Sequence, residues 1–213
     1  MKDMPATSHN DLEIFCFMGR LNSSDVLISN IGTNLQNLES GSVIGTSSIR
    51  RRAQILNFRS DLKIKLLRGN VDTRINKLKN KEYDAIILAY AGLKRLGLEN
   101  QVTEILDQQS FLPAGGQGVV GIQSKKNTKF REMFNKINNI QSEITNTSER
   151  SFLETINANC NSPVSVYAKI DNEKLCIQSQ IYSHKGEVIF NENISGETDD
   201  GKGNQQSHEN NDD

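Results

Sequence analysis

The sequence has no tryptophan and only three cysteines, three prolines and three histidines among 213 residues. Each shortage removes a class of protein. Cys16, Cys160 and Cys176 are odd in number, and their spacing fits neither a disulfide framework nor a metal-ligand pattern, so free thiols are expected. His9, His184 and His208 are scattered, which argues against a histidine-rich metal centre. No apolar run nears the ~18 residues that a membrane span requires. Hydrophobic residues make up only 35% of the chain, and they are scarcest at its end. From Asn191 onward, NENISGETDDGKGNQQSHENNDD holds one hydrophobic side chain, one Lys and seven acidic groups. Such a stretch buries too little apolar surface to offset its ordering entropy, so residues 191–213 are expected to form a disordered acidic tail.

Acidic residues are also scarce in one interior region. Between Arg50 and Lys81 there are eleven Lys or Arg residues and two acidic ones. The chain as a whole is −1; with the acidic tail set aside, residues 1–190 carry +5. A field of this sign suits an anion such as a phosphate, a polycarboxylate or nucleic acid. Lys63, Lys77 and Lys79 read as side chains that merely solvate the faces of their elements.

The middle of the chain alternates between two periodicities. SVIGTSS reads as a strand ending in a turn, and IRRRAQILNFR as a helix with Ile49, Ala53, Ile55 and Leu56 on its inner side. DLKIKLLRGN has Leu62, Ile64 and Leu66 at period two, and VDTRINKL has Val71, Ile75 and Leu78 at helical spacing. YDAIILAYAG is the kind of apolar run that buried strands show, followed by a helical turn, LKRLGL, broken at Gly97. This order predicts βαβ units around a parallel or mixed sheet. Ligands of such sheets bind beyond the carboxyl ends of the strands, which groups Thr46, Ser47, Ser48, Arg50, Arg51, Arg68 and Arg74 around one candidate anion site.

A second unit follows LPAGGQGVVGIQ. KFREMFNKINNIQSEITNTSERSFLETI reads as helix, linker, helix, with Thr147 or Ser148 as the N-cap and an apolar stripe of Phe152, Leu153 and Ile156. VSVYAKI, LCIQSQIY and EVIF, separated by the turns DNEK and SHKG, predict a small antiparallel sheet with a helix against it.

GTSSIRRR is the most informative stretch. Three arginines at a helix start repel one another and oppose the helix dipole, a cost that a multiply anionic ligand would reverse. Guanidinium forks suit carboxylates in two-point contacts. By spacing alone the ligand's identity stays open, and a solvated basic helix end or a nucleic-acid contact is the alternative. LPAGGQGVVG is not a nucleotide fingerprint: it lacks both the Walker ending and a GxGxxG in a strand-to-helix setting.

Taken together, GTSSIRRRAQI, IKLLRGNVDTRINKL, YDAIILAYAGLKRLGL, LPAGGQGVVGI and TSERSFL resemble the hydroxymethylbilane synthase (porphobilinogen deaminase) family. The resemblance runs in order from Met1 to about Phe190 and is strongest through Ile122. It implies an α/β fold of three domains, with periplasmic-binding-protein-like domains 1 and 2 and a small α+β domain 3. Carried onto this chain, residues 1–23 plus 119–136 would be an incomplete domain 1. Residues 24–118 would be domain 2, which binds cofactor and substrate carboxylates, and residues 140–190 domain 3.

The family polymerises four porphobilinogen molecules with loss of ammonia to linear hydroxymethylbilane, in tetrapyrrole (haem) biosynthesis. It does so on a dipyrromethane cofactor attached through a cysteine, which the resemblance matches to Cys160. MKDMP matches the catalytic segment, making Asp3 the catalytic carboxylate and Lys2 its neighbour. The carboxylate-binding arginines match Arg50, Arg51, Arg68, Arg74 and Arg95, while Thr46, Ser47, Ser48, Gly92 and Gln117 fall in cofactor-contacting turns. No metal is implied. The expected setting is a cytoplasmic monomer acting on a small molecule, with neither nucleic acid nor membrane as a partner.

Three departures accompany the match. About eighty residues that precede the catalytic segment in the family have no counterpart here, so the chain is expected to turn over slowly or not at all. The alternative is a non-catalytic remnant that binds polyanions. Ala158 and Asn159 stand where the family has glycines before the cofactor cysteine, and Ser165 replaces a small residue after Pro163-Val164; these added side chains are expected to crowd a linked pyrrole. The last domain is short and ends in the acidic tail.

Overall fold

The computed structural model describes residues 1–5, 9–159 and 161–197. Among them, three sheets organise the chain. Strands β1 (Leu12–Phe17) and β7 (Gly121–Lys125) form an antiparallel ribbon. A five-stranded sheet has the order β4-β3-β5-β2-β6, made from β2 (Asp25–Ser29), β3 (Val43–Gly45), β4 (Lys63–Lys65), β5 (Ala85–Ala89) and β6 (Glu104–Ile105). It is mixed: β3 lies parallel to β4 and β5, whereas β2 runs antiparallel to β5 and β6. The third sheet joins β8 (Val164–Asp171), β9 (Lys174–Tyr182) and β10 (Val188–Glu197) as an antiparallel meander.

The five-stranded sheet is covered on both faces, which explains why its central strands read as continuous apolar runs. Leu27, Ile44, Ala85 and Ile87 pack on one face with Ile55 of α1 (Ile49–Phe58). Val26, Ile28, Ile86 and Leu88 pack on the other with Ile75 and Leu78 of α2 (Val71–Lys79) and Leu93 of α3 (Tyr90–Arg95). Local chemistry sets the helix starts. Ser48 Oγ accepts from Arg51 N at 3.3 Å, and the Asn70 side chain accepts from Thr73 N at 2.9 Å, each satisfying an otherwise unpaired amide. Among the described residues, no helix is long and apolar enough to cross a membrane.

Three expectations need correction. The period-two pattern of DLKIKLLRGN breaks after Ile64: Leu66 is exposed and Leu67 is fully buried, because the chain leaves the ladder and turns under Thr46, whose carbonyl accepts from Leu67 N. The second correction concerns α5 (Ile140–Thr155), one continuous helix that follows α4 (Arg131–Ile137). Asn139 caps it, and Ser148 lies mid-helix with its hydroxyl donating to Ile144 O. Its buried residues are Ser142, Thr145, Asn146 and Glu149, while Ile156 of the supposed apolar stripe is exposed. The face is polar because it meets a linker backbone and Arg20. The third correction is the tail. Residues 191–197 continue β10, paired residue by residue with β9 from Asn191↔Gln180 to Glu197↔Lys174. All of β10 is exposed. Hydrogen bonding to an edge holds a segment that composition, which registers side-chain burial, marks as unfoldable. Residues 198–213 of the expected tail lie outside the described residues.

The sheets are joined by a buried carboxylate. Glu149 Oε1 accepts from Arg20 Nη1 (2.8 Å) and Ala168 N (2.7 Å), and Oε2 from Arg20 Nη2 and Gly116 N (both 2.7 Å). Arg20 belongs to the segment between β1 and β2, Gly116 to the segment between β6 and β7, and Ala168 to β8. Replacing Glu149 with Ala would strand the guanidinium and two amides without an acceptor. The expected loss is about 3–5 kcal/mol of unfolding free energy, read as a lower urea midpoint.

Candidate anion site

The turns at the carboxyl ends of β3, β4 and β5 lie on one edge of the mixed sheet. Because β2 runs antiparallel to β5, its first residue reaches the same edge: Asp25 pairs with Ala89, the last residue of β5. Asp25 is fully buried beneath the arginines of α1. Its Oδ2 accepts from Arg50 Nη2 at 2.7 Å, and its Oδ1 from Arg51 Nε at 3.1 Å and Arg51 Nη2 at 2.7 Å. Gln117 Nε2 adds a bond to Oδ1 at 2.8 Å and another to Ser23 O. Burial alone would raise the Asp25 pKa; the Arg50 and Arg51 charges, with bonds from Arg51 and Gln117, override it and hold the carboxyl well below the usual range.

Arg50 and Arg51 therefore do not stand open toward solvent, as a wall of ligand-binding arginines would. Arg50 also donates through Nη1 to Gln54 Oε1 (2.9 Å) and Leu112 O (2.8 Å), which makes it a brace between α1 and the chain before β7. Arg51 Nη1 donates to Ile87 O at 3.2 Å. One carboxylate faces two guanidinium groups, so this interior cluster keeps a net positive charge. Arg74 stands nearby and half-buried, its Nε donating to Gly69 O at 2.7 Å. Burial and then Arg51 lower its pKa, while Asp3 opposes them.

The other expected residues divide between those that converge and those that do not. Thr46 is buried and its Oγ1 accepts from Ser48 N at 3.2 Å, while Ser47 is exposed at the tip of the turn. Met1 and Lys2 lie against the glycine turn: a Cβ added to Gly116 would sit 2.7 Å from Met1 Cβ and 2.9 Å from Lys2 N. This brings Asp3 to the site edge, exposed and paired with Lys2 at 3.2 Å. Arg95 Nη2 donates to Gly118 O at 2.9 Å, and a Cβ on Gly92 would meet nothing within 4 Å, so the space beside that residue is open. Gln117 Oε1 is buried with no hydrogen-bond partner among the described residues. Arg68 is exposed, and its carbonyl accepts from Lys77 Nζ at 3.3 Å. Cys160 lies outside the described residues. Ser165 is fully buried and its Oγ accepts from Gln54 Nε2 at 3.0 Å, so this side chain points at α1.

Sequence reasoning missed Asp25 and Glu149. A carboxylate opening an otherwise apolar strand, SSDVLIS, was the available signal, since an acidic residue is almost never fully buried unless paired.

The family model described as porphobilinogen deaminase, dipyromethane cofactor binding domain, matches residues 1–132. The chain belongs to the porphobilinogen deaminase family. A second family model, for the C-terminal domain, matches residues 144–205. A porphobilinogen deaminase from Geobacillus sp. (strain WCH70) is 45% identical over 199 residues, covering 92% of this chain and 64% of that protein. Its counterpart in Clostridium acetobutylicum is 40% identical, covering 94% of this chain and 68% of that protein. One from Bacillus cereus (strain AH820) is 42% identical, with 92% and 64% covered. The chain thus spans about two thirds of the length of these relatives.

Two expectations follow. The lowered Asp25 pKa means that its contribution to stability is complete above the unfolded-state value of about 4 and is lost as pH falls below it. An Asp25→Asn variant should be about 3–5 kcal/mol less stable at neutral pH, with a shallower decline in urea midpoint between about pH 5 and 3. Gly116 has φ +75° and no room for a Cβ. Gly116→Ala should cost about 1–3 kcal/mol and loosen residues 1–3, seen as faster amide exchange there.

Proposed function

We propose that the chain carries the chemistry of hydroxymethylbilane synthase: four porphobilinogens are joined head to tail, each losing ammonia, to give linear hydroxymethylbilane for tetrapyrrole (haem) synthesis. It would be a transferase, acting as a cytoplasmic monomer on a small-molecule substrate. The observation that carries this reading is the buried excess of positive charge at Asp25, Arg50 and Arg51, with Arg74 beside it. Porphobilinogen bears acetate and propionate arms, so a growing chain accumulates carboxylates, and fixed guanidinium groups match them in charge and geometry.

The same residues fit a dipyrromethane, which has four such carboxylates. Arg51, Arg74, Arg68 and Arg95 would hold them, together with the Thr46–Ser48 turn, Gly92 and Gln117, and Cys160 would carry the thioether. When bound, that group supplies the pyrrole carbon to which incoming substrate is joined. Asp3 would stabilise the positive charge that spreads over the substrate's pyrrole nitrogen as ammonia leaves, and would then take up the proton released when the new bond forms. Lys2, paired with it, would orient the carboxylate. The buried Asp25 cluster would keep its charge through each round, because water is excluded from it.

Purified chain incubated with porphobilinogen should lose the Ehrlich-reactive substrate with release of ammonia, more slowly than the longer relatives; an Asp3→Asn variant should be slower by about a hundredfold or more. Intact mass should show two pyrrole units added to the chain and absent from Cys160→Ser. Unmodified protein that also leaves porphobilinogen untouched would overturn the enzymatic reading. Salt-sensitive binding of unrelated polyanions would then favour a polyanion-binding module.

A further inference from the structure

The Asp25 carboxylate is part of the anion site without being able to bind an anion, and its role there can be read from hydrogen-bond accounting. Arg51 has five N–H bonds, of which Nε–H and one on Nη2 go to Asp25 and one on Nη1 goes to Ile87 O. Two remain, one on each terminal nitrogen, on a side chain with 7% of its surface exposed. By the same count Arg50 keeps its Nε–H and one N–H on Nη2; Asp25, Gln54 and Leu112 O hold its terminal nitrogens in the interior, and 5% of its side chain is exposed. Both guanidinium planes are therefore fixed before any ligand arrives, Arg50 between α1 and the segment before β7 and Arg51 against β5, each with two N–H bonds left over. Burial first, and then the charge of Arg51, lower the Arg74 pKa, and a carboxylate bridging the two guanidinium groups would relieve the second.

We propose that Asp25 is a positioning residue of the anion site: it holds Arg51 by the Nε edge so that its two remaining N–H bonds, together with Arg74, present one pre-oriented seat for a ligand carboxylate, while Arg50 serves as the brace that fixes Asp25. This extends the porphobilinogen reading by dividing the labour between adjacent arginines, and it rests on that reading for the identity of the ligand. Preorganisation is the advantage, since a guanidinium already tethered at one edge loses little freedom when its other edge is occupied. Gln117 shares the task by donating to the same carboxylate oxygen.

The test is a double-mutant cycle on the full chain, with binding measured by calorimetry for two probes, porphobilinogen and citrate. Asp25→Asn should weaken binding by about tenfold or more, and Arg51→Ala likewise. If Asp25 acts through Arg51, adding Asp25→Asn to Arg51→Ala should change affinity by less than about twofold. A merely structural role would add its full effect in both backgrounds and would overturn the proposal. So would tighter binding by Asp25→Asn, which would mark Asp25 as a competitor of the ligand. Citrate binding with the coupled pattern but no porphobilinogen binding would sink the substrate assignment and leave the positioning role standing; no binding of either probe overturns both. Should Asp25→Asn fail to fold, side-chain ¹⁵N NMR of the unmodified chain decides the matter. The Arg51 Nε–H resonance, assigned by its loss in Arg51→Lys, should stay slowly exchanging and unshifted as probe is added while that of Arg74 moves. Displacement of the Arg51 resonance would overturn the proposal.

Discussion

Glu149 is a carboxylate shut away from water, with four donors converging on its two oxygens. Each donor set comes from a different part of the chain: a linker arginine, the glycine turn, and the first strand of the three-stranded sheet. An ionised group in such a place is tolerated only when every lone pair is engaged. Satisfying Glu149 therefore fixes where α5, β8 and the two segments leading to and from the β1–β7 ribbon lie. The glycine turn is held on one side by this carboxylate and on the other by Asp25, through Gln117. Two buried acids from distant parts of the sequence, Asp25 and Glu149, thus meet in a single loop.

The regular elements of the middle of the chain were legible because their signals are local. Ser48 and Asn70 cap the helices they precede, and the alternation of Ile86 and Leu88 with Ala85 and Ile87 marks a strand covered on both faces. The failures share a cause. Leu66 and Leu67 exchange roles because a strand of three residues ends before its periodicity does. α5 buries a polar face, and hydrophobic spacing cannot find a face whose partners are a guanidinium and backbone amides. β10 is held by its ladder, with no buried side chain to betray it.

The candidate site was legible as a list of residue types and less so as an arrangement. Arginines at a helix start announce that negative charge is near, and the sequence offers no means of telling an internal carboxylate from an external one. Asp25 supplies part of that charge from 25 residues before Arg50. The spacing argument for a ligand accordingly overcounted the open arginines, since Arg50 and Arg51 are buried. Ser165 turns inward and links β8 to α1, a contact with no signal in the local sequence.

The chain crosses between the β1–β7 ribbon and the five-stranded sheet twice, and the two crossings travel side by side. Met18 N donates to Val120 O at 2.9 Å and Leu21 N to Gly118 O at 3.1 Å, so the crossings form a short two-ply strap. A strap of this kind flexes across its flat side, where only backbone torsions turn, and resists shear along its length, where ladder bonds would have to slip. Arg95, bonded to Gly118 O within the strap, ties α3 to this double crossing, so a site arginine is anchored on the same backbone that joins the two sheets.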